Sequence, residues 1–349
     1  MKRSICLSTL CCVVALDAHA QGVPPPPGPL GVFGVDLPPA RKVVVSLTPT
    51  ASNFSDIRIG TRTVSNEFVV SNVPFFLNPR QPVRIVPQNI ALQTLVAGAA
   101  YGVTPDFGVV LNAGVIRKSL EALVFSGERG TTPLTRNRPE TESVTDFALS
   151  GLYRIYQHGP HRVQMSFGLS FPTGNNVAAF DRFVLPDGKA RRIRAFYGMQ
   201  PGTGTYDWMP GIVYAGAAGA WSWGTAYRGR FPFGANDEDY RWGDLHELNG
   251  WGGYTWLPGL TTTLRTSASL QGPIRGFDAR IRGPAVPANP RFYGGKRVEL
   301  FAGATISGRF IGAERWSLGL EAGLPVHQDL NGPQIMKDWQ ASAQLKLKF

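Results

Sequence analysis

The end of the chain alternates without a break. Trp339, Ala341, Ala343, Leu345, Leu347 and Phe349 are apolar, while Gln340, Ser342, Gln344, Lys346 and Lys348 are polar. Side chains of a strand point to opposite faces in turn, so this segment has one oily and one wet face. A helix of the same sequence would scatter polar groups round every side. The pattern recurs. Val163, Met165, Phe167, Leu169 and Phe171 oppose Arg162, Gln164, Ser166 and Ser170. Trp221, Trp223, Tyr227 and Phe231 oppose Ser222, Arg228 and Arg230. Leu260, Leu264, Ala268 and Leu270 oppose Thr261, Thr263, Arg265, Ser267 and Ser269. Val298, Leu300, Ala302, Ala304 and Ile306 oppose Arg297, Glu299 and Thr305, and Trp316, Leu318, Leu320, Ala322 and Leu324 oppose Arg315, Ser317 and Glu321. Less regular runs lie near 92–102, 107–118, 144–156, 204–216 and 241–257.

Most of these runs reach about ten residues, the length of a membrane-crossing strand, where soluble strands average ~5–6. The connections carry separate information. Those near 103–106, 157–160, 217–218, 257–259 and 308–313 are short; those near 119–143, 173–203, 232–240, 272–293 and 326–336 are long. Strict alternation of short and long is the asymmetry of outer-membrane barrels, with tight periplasmic turns and larger external loops. It also fixes parity. The run at 92–102 descends, so a strand must ascend before it, and the eleven runs require a twelfth. Thr63 to Asn72 is the first candidate and Arg41 to Thr48 its rival. The fold class expected is all-β: a transmembrane antiparallel β-barrel of about 12 strands with short periplasmic turns and long extracellular loops. An open sheet edge in hydrocarbon costs several kcal/mol per unpaired group, so the sheet must close.

Composition agrees. The chain has 41 Gly and 28 Pro among 349 residues, 11% aromatic and only 17% charged residues, which disfavours both helices and disorder. A mean hydropathy of −0.08 excludes a bundle of membrane helices. Lys2-Arg3, the apolar stretch Ile5 to Leu16 and Ala18-His19-Ala20 have the layout of a secretory signal peptide over residues 1–20. A lipid anchor at Cys11 or Cys12 is the rival, opposed by Leu10 where a small residue is wanted. Cys6, Cys11 and Cys12 are the three cysteines of the sequence, so cleavage leaves none for metal or thiol chemistry. The formal charge is +11; cleavage removes Lys2, Arg3 and Asp17 and lowers it by one. A basic exported chain suits anionic lipid, lipopolysaccharide or an anionic solute, and nucleic acid is not an expected partner. Residues 21–60, opening with Pro24 to Pro27, read as a flexible periplasmic segment able to plug the lumen, and 61–349 as the barrel.

The terminal Phe349 with its alternating approach resembles the assembly signal of bacterial outer-membrane barrels. Three segments, Phe171-Pro172-Thr173-Gly174, Gly202-Thr203-Gly204-Thr205-Tyr206-Asp207 and Tyr240-Arg241-Trp242-Gly243-Asp244, resemble the family named for the MetA pathway of phenol degradation. The resemblance covers roughly residues 90–349 and implies an outer-membrane transporter or channel. The name leaves the solute open.

Catalytic and metal chemistry have little basis. His158 and His161 flank the turn Gly159-Pro160, where solvated histidines are the simpler reading than ligands at i and i+3. Ser170 lacks the second Gly of a nucleophile elbow. Gly202-Thr203-Gly204 lacks the Lys and helix of a phosphate loop. No cofactor and no catalytic residue are expected. The inward charges are more informative. Arg162, Arg228, Arg230, Arg265, Arg297 and Arg315 outnumber Glu299 and Glu321, with Lys346 and Lys348 adding the same sign near the periplasmic mouth. Arg and Lys lining a pore favour anions. The competing expectation is that Arg297, Glu299, Arg315 and Glu321 form a salt-bridge ladder. Lys189, Arg191, Arg192 and Arg194 are candidates for phosphate or anion binding in an external loop. The function expected is passage of a small solute, anionic or aromatic, through the lumen. Alternatives are a structural or ligand-binding barrel acting through its loops, and a soluble sandwich. Oligomeric state is not legible.

Overall fold

The computed structural model describes residues 26–349; the signal peptide expected over 1–20 lies outside the described residues. Eleven long strand elements carry the fold. They are β1 (Val43–Gly60), β2 (Ile85–Gly102), β3 (Phe107–Phe125), β4 (Phe147–His158), β5 (His161–Phe171), β6 (Asp207–Ala218), β7 (Trp221–Pro232), β8 (Leu245–Leu257), β9 (Leu260–Gln271), β10 (Gly295–Ser307) and β11 (Trp316–Lys348). Each pairs antiparallel with the next, and β1 pairs antiparallel with both β2 and β11, which closes the ring.

A closed ring with every neighbour antiparallel needs an even number of passes, so one of the eleven elements must reverse. That element is β11. At about 3.3 Å per residue its 33 residues would stretch roughly 110 Å, several times the ~30 Å hydrocarbon layer. Its residues 317–330 pair with β10 and its residues 330–348 with β1. The Gln328 amide donates to Lys337 O, and Lys337 N donates back to Gln328 Oε1, so the two arms face one another across Asn331-Gly332-Pro333. The barrel therefore has twelve passes. The connection read as a long loop at 326–336 is instead this tight reversal. Asn, Gly and Pro in sequence are turn residues, but the polar residues flanking them mask how short it is.

The alternation sorts the faces. Met165, Phe167 and Leu169 are exposed on the outside, whereas Gln164, Ser166 and Ser170 are buried within. Leu264, Leu300, Leu320 and Leu324 continue the outer belt; Thr263, Arg265, Ser267 and Glu321 point inward. A contiguous apolar belt of this extent would aggregate in water and is satisfied by hydrocarbon. Aromatic girdles border it. Phe147 stacks on Phe171 with ring centroids 4.6 Å apart, and Phe231 meets His246 at 5.2 Å on the external side. On the periplasmic side Tyr254 packs against both Trp221 and Trp256 at 4.8 Å. His161 is part of this lower girdle, donating to or accepting from the Tyr214 hydroxyl at 2.9 Å, and it pairs with His158 across the turn.

Two corrections concern the N-terminal third. The ascending strand before β2 is Val43–Gly60, the rival candidate's region, so residues expected in a flexible periplasmic segment form a wall of the barrel. Thr63 to Asn72 is not a strand: Asn66–Asn72 is a helix, α1, capped by the Ser65 side chain, which accepts from Phe68 N. Its buried face is Val69 and Val70, adjacent residues that no strand would place on one side.

Outside the membrane the loops condense into a dome. Phe180, Phe183, Phe196, Tyr197, Met199, Tyr240, Ile274 and Ile281 are buried together against Ile85, Leu120 and Val124 at the tops of β2 and β3. A second cluster joins α1 through Val69, Val70 and Val73 to Ile57, Phe125 and Val286. Arg84, buried with no carboxylate at hand, donates to the backbone oxygens of Ser126, Gly127, Arg129 and Gly130 and so pins the first turn after β3.

Candidate functional site

The lumen is two-sided. Over their lower and middle parts the walls from β1 to β4 turn Thr48, Thr50, Val96, Gly98, Asn112, Ser150 and Leu152 inward, none of them charged; higher on β3, Lys118 turns in beneath the dome and donates to Gly198 O and Gln200 O. The walls from β5 to β11 turn in Arg162, Arg228, Arg265, Arg297, Lys337 and Lys346 against Glu247, Glu299 and Glu321.

Into this space folds the segment before β1. Residues 26–42 occupy the periplasmic half as a compact loop. Gly102 and Gly108 leave room for Pro39 and Pro38 to pass, where any Cβ would strike the prolines. Arg41 N donates to Gly102 O at 2.6 Å, fixing the entry. Val32 and Val35 then pack on Val213, Ala215, Ala226 and Trp251 of the inner wall. Gln164 donates to Val35 O at 2.7 Å, and Gly31 N reaches Glu321 Oε2 at 3.4 Å. Phe33 lies against the Arg228 guanidinium, 5.3 Å from its ring centroid. Asp36 sits between Arg162 at 3.6 Å and Lys346 at 4.0 Å, side chains that come from nearly opposite strands of the ring. The expectation that this region could plug the barrel fits residues 26–42; the wall begins at Val43.

The inward charges expected from the sequence fall into three groups. Arg265 is firmly paired: Nη2 meets Glu321 Oε1 at 2.5 Å, Nη1 donates to Asn249 at 2.7 Å, and the guanidinium stacks on Phe301 at 3.9 Å. Glu299 pairs with Lys337 at 2.7 Å. Arg162, Arg228 and Arg297 are weakly held. Arg228 is exposed although it faces inward, so it borders open space inside the barrel. The Nε groups of Arg162 and Arg297 are buried without an acceptor.

Two expectations fail here. Arg315 is exposed at the periplasmic connection, where its carbonyl accepts from Lys348 N, and does not line the lumen. The ladder of Arg297, Glu299, Arg315 and Glu321 does not form, because Glu321 and Glu299 find partners on β9 and on the second arm of β11. Periodicity gives the face of each residue and not its neighbour across a strand. Arg230 stands at the outer rim, paired with Asp207 and 3.6 Å from Asp146.

That rim gathers the three segments singled out in the sequence. Asp146 accepts from Gly174 N and Thr203 N, both at 3.0 Å, and from the Thr203 hydroxyl at 2.7 Å. Asn236 donates to Thr203 O and accepts from Tyr240 N. The buried Asp146 carboxylate thus ties together the two ends of the loop between β5 and β6, and the Asn236 amide joins the loop after β7 to the second of them. Of the loop cations, Arg194 is buried between Glu238 and Asp278 at 3.1 and 3.2 Å, and Arg191 pairs with Asp187. Arg192 pairs with Asp181 at the surface, 3.2 Å away. The four do not form a joint anion site. Under the dome an apolar cavity of about 60 Å³, bordered by Ile90, Leu120, Phe196, Met199, Phe292 and Ile335, has room for a few waters and is no passage.

No protein-family model matches the chain, and no curated protein of similar sequence is found. Among solved structures, the COG4313 outer membrane channel from Pseudomonas putida F1 aligns with a TM-score of 0.56 at 12% identity, covering 91% of this chain and 100% of that one. The P. putida toluene transporter TodX aligns with a TM-score of 0.45 at 10% identity, over 89% of this chain and 91% of that one. The NanC porin gives a TM-score of 0.42 at 10% identity, over 87% and 100%. The last two alignments are too loose to argue from. The first agrees with the ring, the outer belt and the girdles: the chain has the fold of an outer-membrane β-barrel.

Proposed function

We propose that this chain is a non-enzymatic outer-membrane channel that passes a small solute through its lumen with a preference for anions, and that residues 26–42 hold it closed. The observation that carries the reading is the charged wall, where Arg162, Arg228, Arg297 and Lys346 lack a close carboxylate partner from the barrel itself. A pore lined by such groups selects against cations. The external loops are folded onto one another, which favours passage over adhesion to a surface partner. Membership of the MetA-pathway family rests on the three rim segments. Lys189 and Arg192, which stay at the surface, are the loop cations available to lipopolysaccharide phosphates.

Single-channel recording in planar bilayers tests this. The expected result is a small anion-selective conductance that rises when residues 26–36 are deleted. Absence of current in the deleted form, or cation selectivity, would overturn the proposal.

A further inference from the structure

The plug places two kinds of chemistry on the lumen's free cations. Phe33 lays a ring against Arg228, and three residues on, Asp36 sets a carboxylate between Arg162 and Lys346. Both ion-pair distances, 3.6 and 4.0 Å, exceed that of a hydrogen bond, and Arg162 Nε keeps no acceptor. The Asp36 side chain is 44% exposed, so the carboxylate is held loosely and in contact with lumen space. By contrast Arg265, the neighbouring inward arginine, is saturated by Glu321 and Asn249 and needs nothing from the plug.

We infer that Phe33 and Asp36 occupy a solute site, and that its ligand is a small organic anion joining an aromatic ring to a carboxylate. This rests on the channel reading above and narrows it to a substrate class. With the plug withdrawn, Arg162 and Lys346 are two like charges converging from opposite walls with no carboxylate between them. A carboxylate relieves that repulsion, and Arg162 has an unused donor with which to bind it more closely than Asp36 does. Arg228 then offers its guanidinium face to a ring, an interaction that gains strength away from bulk water. An aliphatic acid satisfies only the first pair, and a neutral phenol only the Arg228 face. Val213, Ala226 and Trp251, released by Val32 and Val35, supply the apolar bed for the rest of the ring.

The test uses the full-length protein in detergent micelles, with benzoate, acetate and phenol as probes in calorimetric titrations. Asp36→Asn removes the competing carboxylate and leaves all three cations in place; it is expected to bind benzoate about tenfold more tightly than the unaltered chain. Phe33→Ala is expected to act in the same direction, and serves if Asp36→Asn does not assemble, as judged by heat-dependent gel mobility. Adding Arg162→Gln or Arg228→Gln to either variant removes the gain. Acetate and phenol bind at least about tenfold more weakly than benzoate. Benzoate binding unchanged in both variants, or acetate or phenol binding as tightly as benzoate, overturns the inference. Chloride current through the Asp36→Asn channel in bilayers separates the two readings: current without benzoate preference sinks the ligand and spares the channel, while no current in any variant sinks the channel.

Discussion

The two ends of the barrel are covered by different physics. The outer end is capped by a dry core in which Phe196 packs edge to face on the stacked pair Phe180 and Phe183, and Tyr197, Tyr240 and Tyr293 form a second aromatic group. Several dome polar groups are bonded at ordinary lengths, such as Tyr293 to Pro287 O at 2.8 Å and Asp278 N to Tyr197 at 2.9 Å, while the buried Tyr240 hydroxyl has no partner. The inner end is filled by a short loop held by a few valines, one amide bond to Val35 and ion pairs at 3.6 and 4.0 Å. A cap that loses its core must unfold, whereas the plug can leave without unfolding anything else. On the reading proposed above, the end that opens is the periplasmic one.

Substitutions can break this contrast. Phe180→Ala should remove about 3–5 kcal/mol from the dome, read as loop proteolysis at lower temperature while the barrel keeps its gel mobility. Persistence of the dome would mean its core is not what holds it. An effect of similar size, about 3–5 kcal/mol, is expected for Glu321→Gln, because Arg265 is left charged and unpaired inside the barrel. Urea unfolding in lipid would reveal it, and the paired change Arg265→Met with Glu321→Met should restore most of the loss. This ion pair belongs to the wall, so its cost should appear even when residues 26–36 are absent.

Alkaline pH sharpens the comparison. Burial, with a smaller push from the Asp278 carboxylate, raises the Tyr197 hydroxyl to about 12, and burial likewise raises Tyr240 and Tyr293. A raised value in the fold favours the neutral form, so this contribution is whole below the ordinary value of about 10 and is lost as pH climbs through about 12. Tyrosinate absorbance should therefore lag for these three residues and rise together with loop proteolysis above about pH 11. The smallest energetic effect is predicted at the plug. Asp36→Asn should change unfolding stability by less than about 1 kcal/mol, yet raise channel conductance more than any dome substitution. Raising salt toward 1 M should mimic it in part, since the Debye length falls to about 3 Å.

Much of this was open to reading in the sequence because a barrel wall imposes a period of two that neither packing nor register can override. Met165, Phe167 and Leu169 had to share a face wherever their strand was placed, and so did Arg228 with Ala226. The partner of each charge was not legible. A ladder of Glu321 with Arg297 is expected because they lie on neighbouring strands, but pairing depends on register across the sheet, which brings Arg265 to Glu321. The plug had no periodicity to betray it. Asp36 gains meaning only beside Arg162 and Lys346, far from it along the chain, and its Pro and Gly neighbours suggest only an irregular segment. Helix α1 hides in the sequence because Val64, Phe68 and Val70 mimic alternation over a few residues, while Ser65, a good cap ahead of Asn66-Glu67, marks its start.

One more consequence lies in the seam where β1 meets β11. Val43 O accepts from Phe349 N, so the ring is sealed where the first wall strand meets the second arm of β11. The loop that fills the lower half leads directly into that seam strand, so it need not be threaded through a finished hole: it rides in as the two ends zip together, and the vessel is born corked.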